Sequence, residues 1–156
     1  MMNSCTKICL LGVVALVWTL SPVAAQASDA PVLSLSGSGG SAAVASRSGN
    51  QFLVDFVPGR EDVAGVNFDV VFEDAQRLQV DIQGCGAGVR SSHVSRCEMV
   101  APDRMRVLVF SAPVVALPTA ELVSFSVQGR YSSVSIEESS VAVSDMVGTI
   151  IRAEIY

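Results

Sequence analysis

Residues 85–97 carry the side chains best equipped for chemistry: Cys85, His93 and Cys97. Two thiols and an imidazole are zinc-type ligands. A fourth ligand would have to be Glu98 or water, however, and the spacing matches no common zinc module. In an oxidising compartment the simpler chemistry is one disulfide between Cys85 and Cys97. The residues between them include Gly86, Gly88, Arg90, Ser91, Ser92 and Arg96, which offer little apolar surface to pack the loop down. A covalent staple closing a loop of this size would stabilise the fold by about 3 kcal/mol on the chain-entropy estimate.

Nucleophilic catalysis needs a base within hydrogen-bond reach of the nucleophile. His93 is the only histidine, and nothing in the sequence places a serine and an acid beside it. The paired acids Glu61-Asp62, Glu73-Asp74 and Glu137-Glu138 are adjacent in sequence. Neighbours on a strand point to opposite faces, so these pairs lack the facing geometry of glycoside hydrolysis. Calcium is compatible with such acidic corners, but no calcium motif is present and no cofactor is expected. The glycine-rich stretches at 36–41 and 84–88 lack the Lys-Ser/Thr pair and the following helix of a nucleotide-binding turn. No catalytic residue is assigned.

The elements that must position these residues follow from hydrophobic period. Over 63–83, Val66, Phe68, Val70 and Phe72 share one parity while Asn67, Asp69 and Glu73 share the other. After a polar corner at 73–76, Leu78, Val80 and Ile82 resume the alternation, with Gln79 and Asp81 outward. This is the period of two of strands with one face on a core. Phe52, Val54 and Phe56 repeat it, as do Val123, Phe125 and Val127. Residues 105–110 are apolar on both parities after Arg106 and predict a strand covered on both faces. Further short strands are expected at 32–35, 134–137, 141–145 and 149–153, with an extended segment at 42–45, a turn at 46–50 and a single helical turn at 73–77. About nine short strands and no window of helical period predict an all-β antiparallel sandwich.

The N-terminus predicts the compartment. Residues 1–7 form a short basic head holding Lys7, the only lysine; 8–20 are apolar; Ser21-Pro22 and small residues follow. This is the plan of a secretory signal peptide, with cleavage after Ala25 or, preferably, Ala27. The apolar run falls short of the roughly 18–20 residues that span a bilayer. The expected organisation is therefore a signal peptide at 1–27 and one mature domain at 28–156, secreted or periplasmic and off the membrane. Cys5 and Cys9 leave with the signal, and Cys85 and Cys97 remain. The formal net charge of −5 and nine scattered arginines exclude nucleic acid, which needs a clustered basic surface.

The order of segments resembles the cohesin domain and related carbohydrate-binding β-sandwiches. Phe72-Glu73-Asp74-Ala75-Gln76-Arg77-Leu78, followed by Val80 and Gly84, is similar to the cohesin strand-corner-strand block, with Ala75 in place of the corner proline. Residues 64–68 are similar to the approach into that block. Residues 117–127 resemble the loop and Leu-x-Phe-x-Val strand, and 141–150, with Asp145 and Gly148, resemble the final turn. The similarity spans roughly 32–152. Cys85 and Cys97 add a bridge the pattern does not call for.

The resemblance implies a jelly-roll sandwich of nine strands with a non-catalytic role, one sheet face docking a dockerin-like protein module or lying along polysaccharide. Flat sugar-binding faces rely on exposed Trp and Tyr. Here the only tryptophan is Trp18, in the signal, and Tyr131 and Tyr156 are dispersed. All six phenylalanines, Phe52, Phe56, Phe68, Phe72, Phe110 and Phe125, are expected in the core. The leading expectation is a secreted cohesin-like module docking a protein partner in an assembly linked to polysaccharide use. Its candidate binding residues are the polar parity of the central strands, Asn67, Asp69, Gln79 and Asp81. The rivals are a module gripping soluble glycan chains in a groove and a small exported enzyme built around His93. Reducing Cys85–Cys97 should lower the melting temperature while a strand-dominated circular-dichroism spectrum persists, because the alternating strands supply most of the burial; mass spectrometry should find no free thiol in the exported protein.

Overall fold

A computed structural model describes residues 29–38, 50–59 and 62–156. The signal peptide expected at 1–27 and most of the segments expected over 39–49 lie outside them. The described residues form eleven strands: β1 (Val32–Ser38), β2 (Asn50–Val57), β3 (Val63–Glu73), β4 (Gln76–Cys85), β5 (His93–Ala101), β6 (Arg104–Ser111), β7 (Ala120–Arg130), β8 (Ser133–Ile136), β9 (Ala142–Asp145), β10 (Ile150–Ile151) and β11 (Glu154–Ile155). They build two sheets, one in the order β11-β1-β2-β7-β4 and the other β10-β9-β3-β6-β5, with β8 also pairing β3. All pairings are antiparallel except β1 with β11. The fold class is the all-β sandwich that the alternation predicts.

The strand count exceeds nine for two reasons. The closing strand expected at 149–153 shortens to β10, which pairs β9 in the six-stranded sheet, and a further strand, β11, follows it and crosses to pair β1 in the other. Residues 93–101, expected in part as loop, form β5 at a sheet edge, paired with β6. The corner at 73–77 contains no helix. Asp74 and Arg77 take left-handed backbone angles, each with φ 52°, and the chain turns directly from one sheet into the other.

The inward parities meet between the sheets. Val54, Phe56, Phe68, Val70, Met105, Val107, Val109, Leu122, Val123, Phe125 and Val143 are completely buried. Phe125 of the five-stranded sheet stacks on Phe52 at 5.4 Å and receives Phe72 of the opposite sheet edge-on at 5.9 Å. Edge-to-face pairs add about 0.5–1.5 kcal/mol beyond the area they bury. Cys85 and Cys97 are bonded, with an S–S distance of 2.08 Å. Since β4 and β5 are edge strands of different sheets, the bond ties the two layers together along one seam.

Two core expectations need correction. Residues 105–110 are not covered on both faces: Leu108 is only half-buried and Phe110 is 39% exposed. The other five phenylalanines are in the core, but Phe110 stands on the outer face of β6, where no second layer covers it. Accordingly, Phe125→Ala should cost about 3–5 kcal/mol in chemical denaturation, whereas Phe110→Ala should cost about 1 kcal/mol or less. Equal losses would contradict this packing.

Candidate functional site

The four residues expected to form one binding surface do not share a face. Asn67 and Asp69 lie on β3 in the six-stranded sheet, and Gln79 and Asp81 on β4 in the five-stranded sheet. The corner at 73–77 carries the chain between layers, so the outward parities of β3 and β4 face opposite directions. Gln79 and Asp81 are exposed; Asn67 is half-buried, and Asp69 is 1% exposed.

Asn67 and Asp69 are occupied by a gap in the β-ladder. Along one side of β3, β9 pairs residues 63–67 and β8 pairs residues 70–73. Between them a 3₁₀ turn at Glu138–Ser140 interrupts the pairing. The Asp69 N–H donates instead to Ser140 Oγ at 2.8 Å, and the Ser140 hydroxyl donates to the Glu137 carbonyl at 2.7 Å. Asn67 Nδ2 donates to the Ser140 carbonyl at 3.4 Å. A buried amide left unpaired would cost roughly 1–3 kcal/mol, which explains a serine at this turn.

The Asp69 carboxylate accepts two parallel bonds from Arg106, Nε at 2.8 Å and Nη2 at 2.9 Å, and one from Arg104 Nη1 at 3.3 Å. Arg104 also pairs with Glu137, and Glu98 stands opposite Arg106 across β5 and β6. The Arg106 fork, chiefly, and then Arg104 hold the Asp69 carboxyl below the usual carboxylate range, against the opposing effect of burial. That burial is shallow, because arginine side chains at the sheet surface cover it.

Further along the same outer face the chemistry changes. Register places Ile150, Ser144, Gly65, Phe110 and Val94 in one transverse row across β10, β9, β3, β6 and β5. Ile150 is 67% exposed and Val94 47%. A Cβ on Gly65 would lie 3.0 Å from Ser144 Oγ and 3.6 Å from Phe110 Cβ, so the glycine leaves a dip in the middle of the row. The next row is Ala142, Asn67, Leu108 and Arg96; the one after it holds Asp69, Arg106 and Glu98. An apolar strip bordered by satisfied ion pairs is the composition of a protein interface. Beside it, the Asp145 carboxylate accepts the Thr149 and Val147 N–H groups at 2.8 and 2.9 Å, fixing the turn that presents Val147. These bonds, the one from Thr149 foremost, hold the Asp145 carboxyl below its ordinary value.

His93 is buried at the start of β5, with Nδ1 3.2 Å from Ser92 Oγ and no hydrogen-bond partner for Nε2. The disulfide occupies both thiols that a metal would need. Among the described residues no group of three or more His, Cys, Asp or Glu side chains could hold a metal ion.

No protein-family model matches this sequence, and no curated protein matches it either. Solved structures do. The chain is similar to the second type II cohesin module of the ScaA adaptor scaffoldin of Acetivibrio cellulolyticus, with a TM-score of 0.57 at 7% identity over 81% of this chain and 93% of that one. It is similar to a non-cellulosomal cohesin of Archaeoglobus fulgidus, with a TM-score of 0.55 at 10% identity over 81% and 86%. A type I cohesin–dockerin complex of Clostridium thermocellum matches with a TM-score of 0.52 at 10% identity over 80% and 89%. The fold is thus a cohesin-like β-sandwich.

The Asp69 cluster has a testable pH signature. A carboxyl held below its unfolded value stabilises the fold fully above that value, and the contribution is lost as pH falls through the folded value. Asp69→Asn should cost about 1–3 kcal/mol near neutral pH. The gap from the wild type should narrow below about pH 4 in denaturation curves. A gap independent of pH would contradict the ion-pair assignment.

Proposed function

We propose that this chain is an exported, non-catalytic docking module that receives a dockerin-like protein partner on the outer face of its six-stranded sheet, within an extracellular or envelope assembly linked to polysaccharide use. The observation that carries the reading is the exposed row Val94, Phe110 and Ile150, open at Gly65, on one face of a cohesin-like sandwich. Desolvating such a row supplies the binding energy of an interface core, while the charged row of Arg106 and Glu98 sets orientation at the rim. The basic head, apolar run and small residues of 1–27 support export. The link to polysaccharide rests on the resemblance to cohesins.

Immobilised wild-type protein should retain from culture supernatant a partner carrying a duplicated calcium loop. Phe110→Glu and Ile150→Glu should each weaken capture at least about tenfold with little change in melting temperature. Capture of the same partner by both variants at wild-type strength would place the docking surface elsewhere. Amino-terminal sequencing of the exported protein should begin at Ser28 or, for the alternative cleavage, Gln26; a retained Met1 would exclude signal cleavage.

A further inference from the structure

We propose a second binding site on the opposite face of the sandwich, a trough that takes a neutral oligosaccharide. The outer face of the five-stranded sheet holds a cavity of about 570 Å³ lined by Ser36, Gly37, Gln51, Phe52, Leu53, Gln83, Glu121 and Ser124. This lies within the range of small-ligand sites, roughly 300–1,000 Å³. Register explains why a flat sheet has a trough here. Ser36, Leu53, Ser124 and Gly84 form one row across β1, β2, β7 and β4, with small residues on both sides of a single leucine. A Cβ on Gly84 would fall 2.6 Å from Ser124 Oγ. This glycine therefore keeps the floor low.

The walls come from the neighbouring rows. Gln51 precedes Leu53 by two positions on β2, while Glu121 pairs with Asp55 on the other side of the trough. A register shift between Ile82 and Gly84 breaks the β4–β7 ladder at Gln83. Bulges of this kind re-aim a side chain beside binding sites. Two amides, two serine hydroxyls and one carboxylate supply both donors and acceptors around the apolar patch of Leu53. A pyranose ring offers the complement: alternating hydroxyl donors and acceptors at its edge and a C–H face for the leucine.

Charge narrows the ligand class. Among the described residues, Glu121 is the only ionisable one lining the trough, and the adjoining rows add Asp55 and Asp81 but no cation. Phosphorylated and uronic-acid ligands are repelled by such a face. This site shares no residue with the docking row and lies on the other sheet, so each reading stands or falls alone.

The test is an ¹⁵N NMR titration of the mature protein with neutral gluco-, xylo-, manno- and galacto-configured oligosaccharides, with uronic-acid oligomers and a polyamine as charged controls. Saturable shifts at Gln51, Leu53, Gln83, Glu121 and Ser124, with Kd on the order of 1 mM or tighter, are expected for at least one neutral sugar. Gln83→Ala and Glu121→Ala should each weaken that binding about tenfold or more, while Phe110→Glu binds the sugar as the wild type does. No shift at these residues with any neutral sugar overturns the proposal. So do equal binding of uronic acids, binding of the polyamine alone, and unchanged affinity in both trough variants.

Discussion

The contact between Phe72 and Phe125 is where the two sheets commit to each other. Each ring lies on the inward parity of its own strand, and Phe125 also stacks on Phe52 of the neighbouring strand. Once these rings and the valines around them are removed from water, every alternate residue on β2, β3, β6 and β7 must point away from the core. The two outer faces are the remainder of that division, and any binding chemistry here must be assembled from what is left on them.

The two faces differ in character because their strands solve different local problems. On the six-stranded sheet, β3 lacks a continuous partner where the 3₁₀ turn at Glu138–Ser140 intervenes. Ser140, Asn67 and Asp69 close that gap, and Arg104 and Arg106 then neutralise the carboxylate. Polar side chains are concentrated there, which leaves the apolar row at the other end of the face without charges of its own. On the five-stranded sheet the outward residues are mainly Ser, Gln and Asp, and Gly84 hollows the surface.

The seam between β4 and β5 shows how few links hold the layers where burial is thin. Leu78, Val80 and Ile82 of β4 are only partly buried. The Cys85–Cys97 bond fixes that edge at one point, so the edge strand carrying Val94 is anchored close to the proposed docking row.

The amino-acid sequence alone determined the class of fold, the inward residues of β2, β3 and β7, and the cysteine pair. Period two reports directly which side of a strand meets a core, and a pair of cysteines twelve residues apart with no zinc-module spacing has few alternatives to a disulfide. Tertiary structure decided which strands are neighbours, and that is information no local period contains. It put Asn67 and Asp69 on one face and Gln79 and Asp81 on the other, sent the last strand across to the opposite sheet from β10, and recruited Arg104 and Arg106 from β6 to cover an aspartate on β3. It also turned Phe110 outward: a run apolar on both parities reads the same whether its second face meets another layer or awaits a partner, and only the packing of the remaining strands tells the two apart.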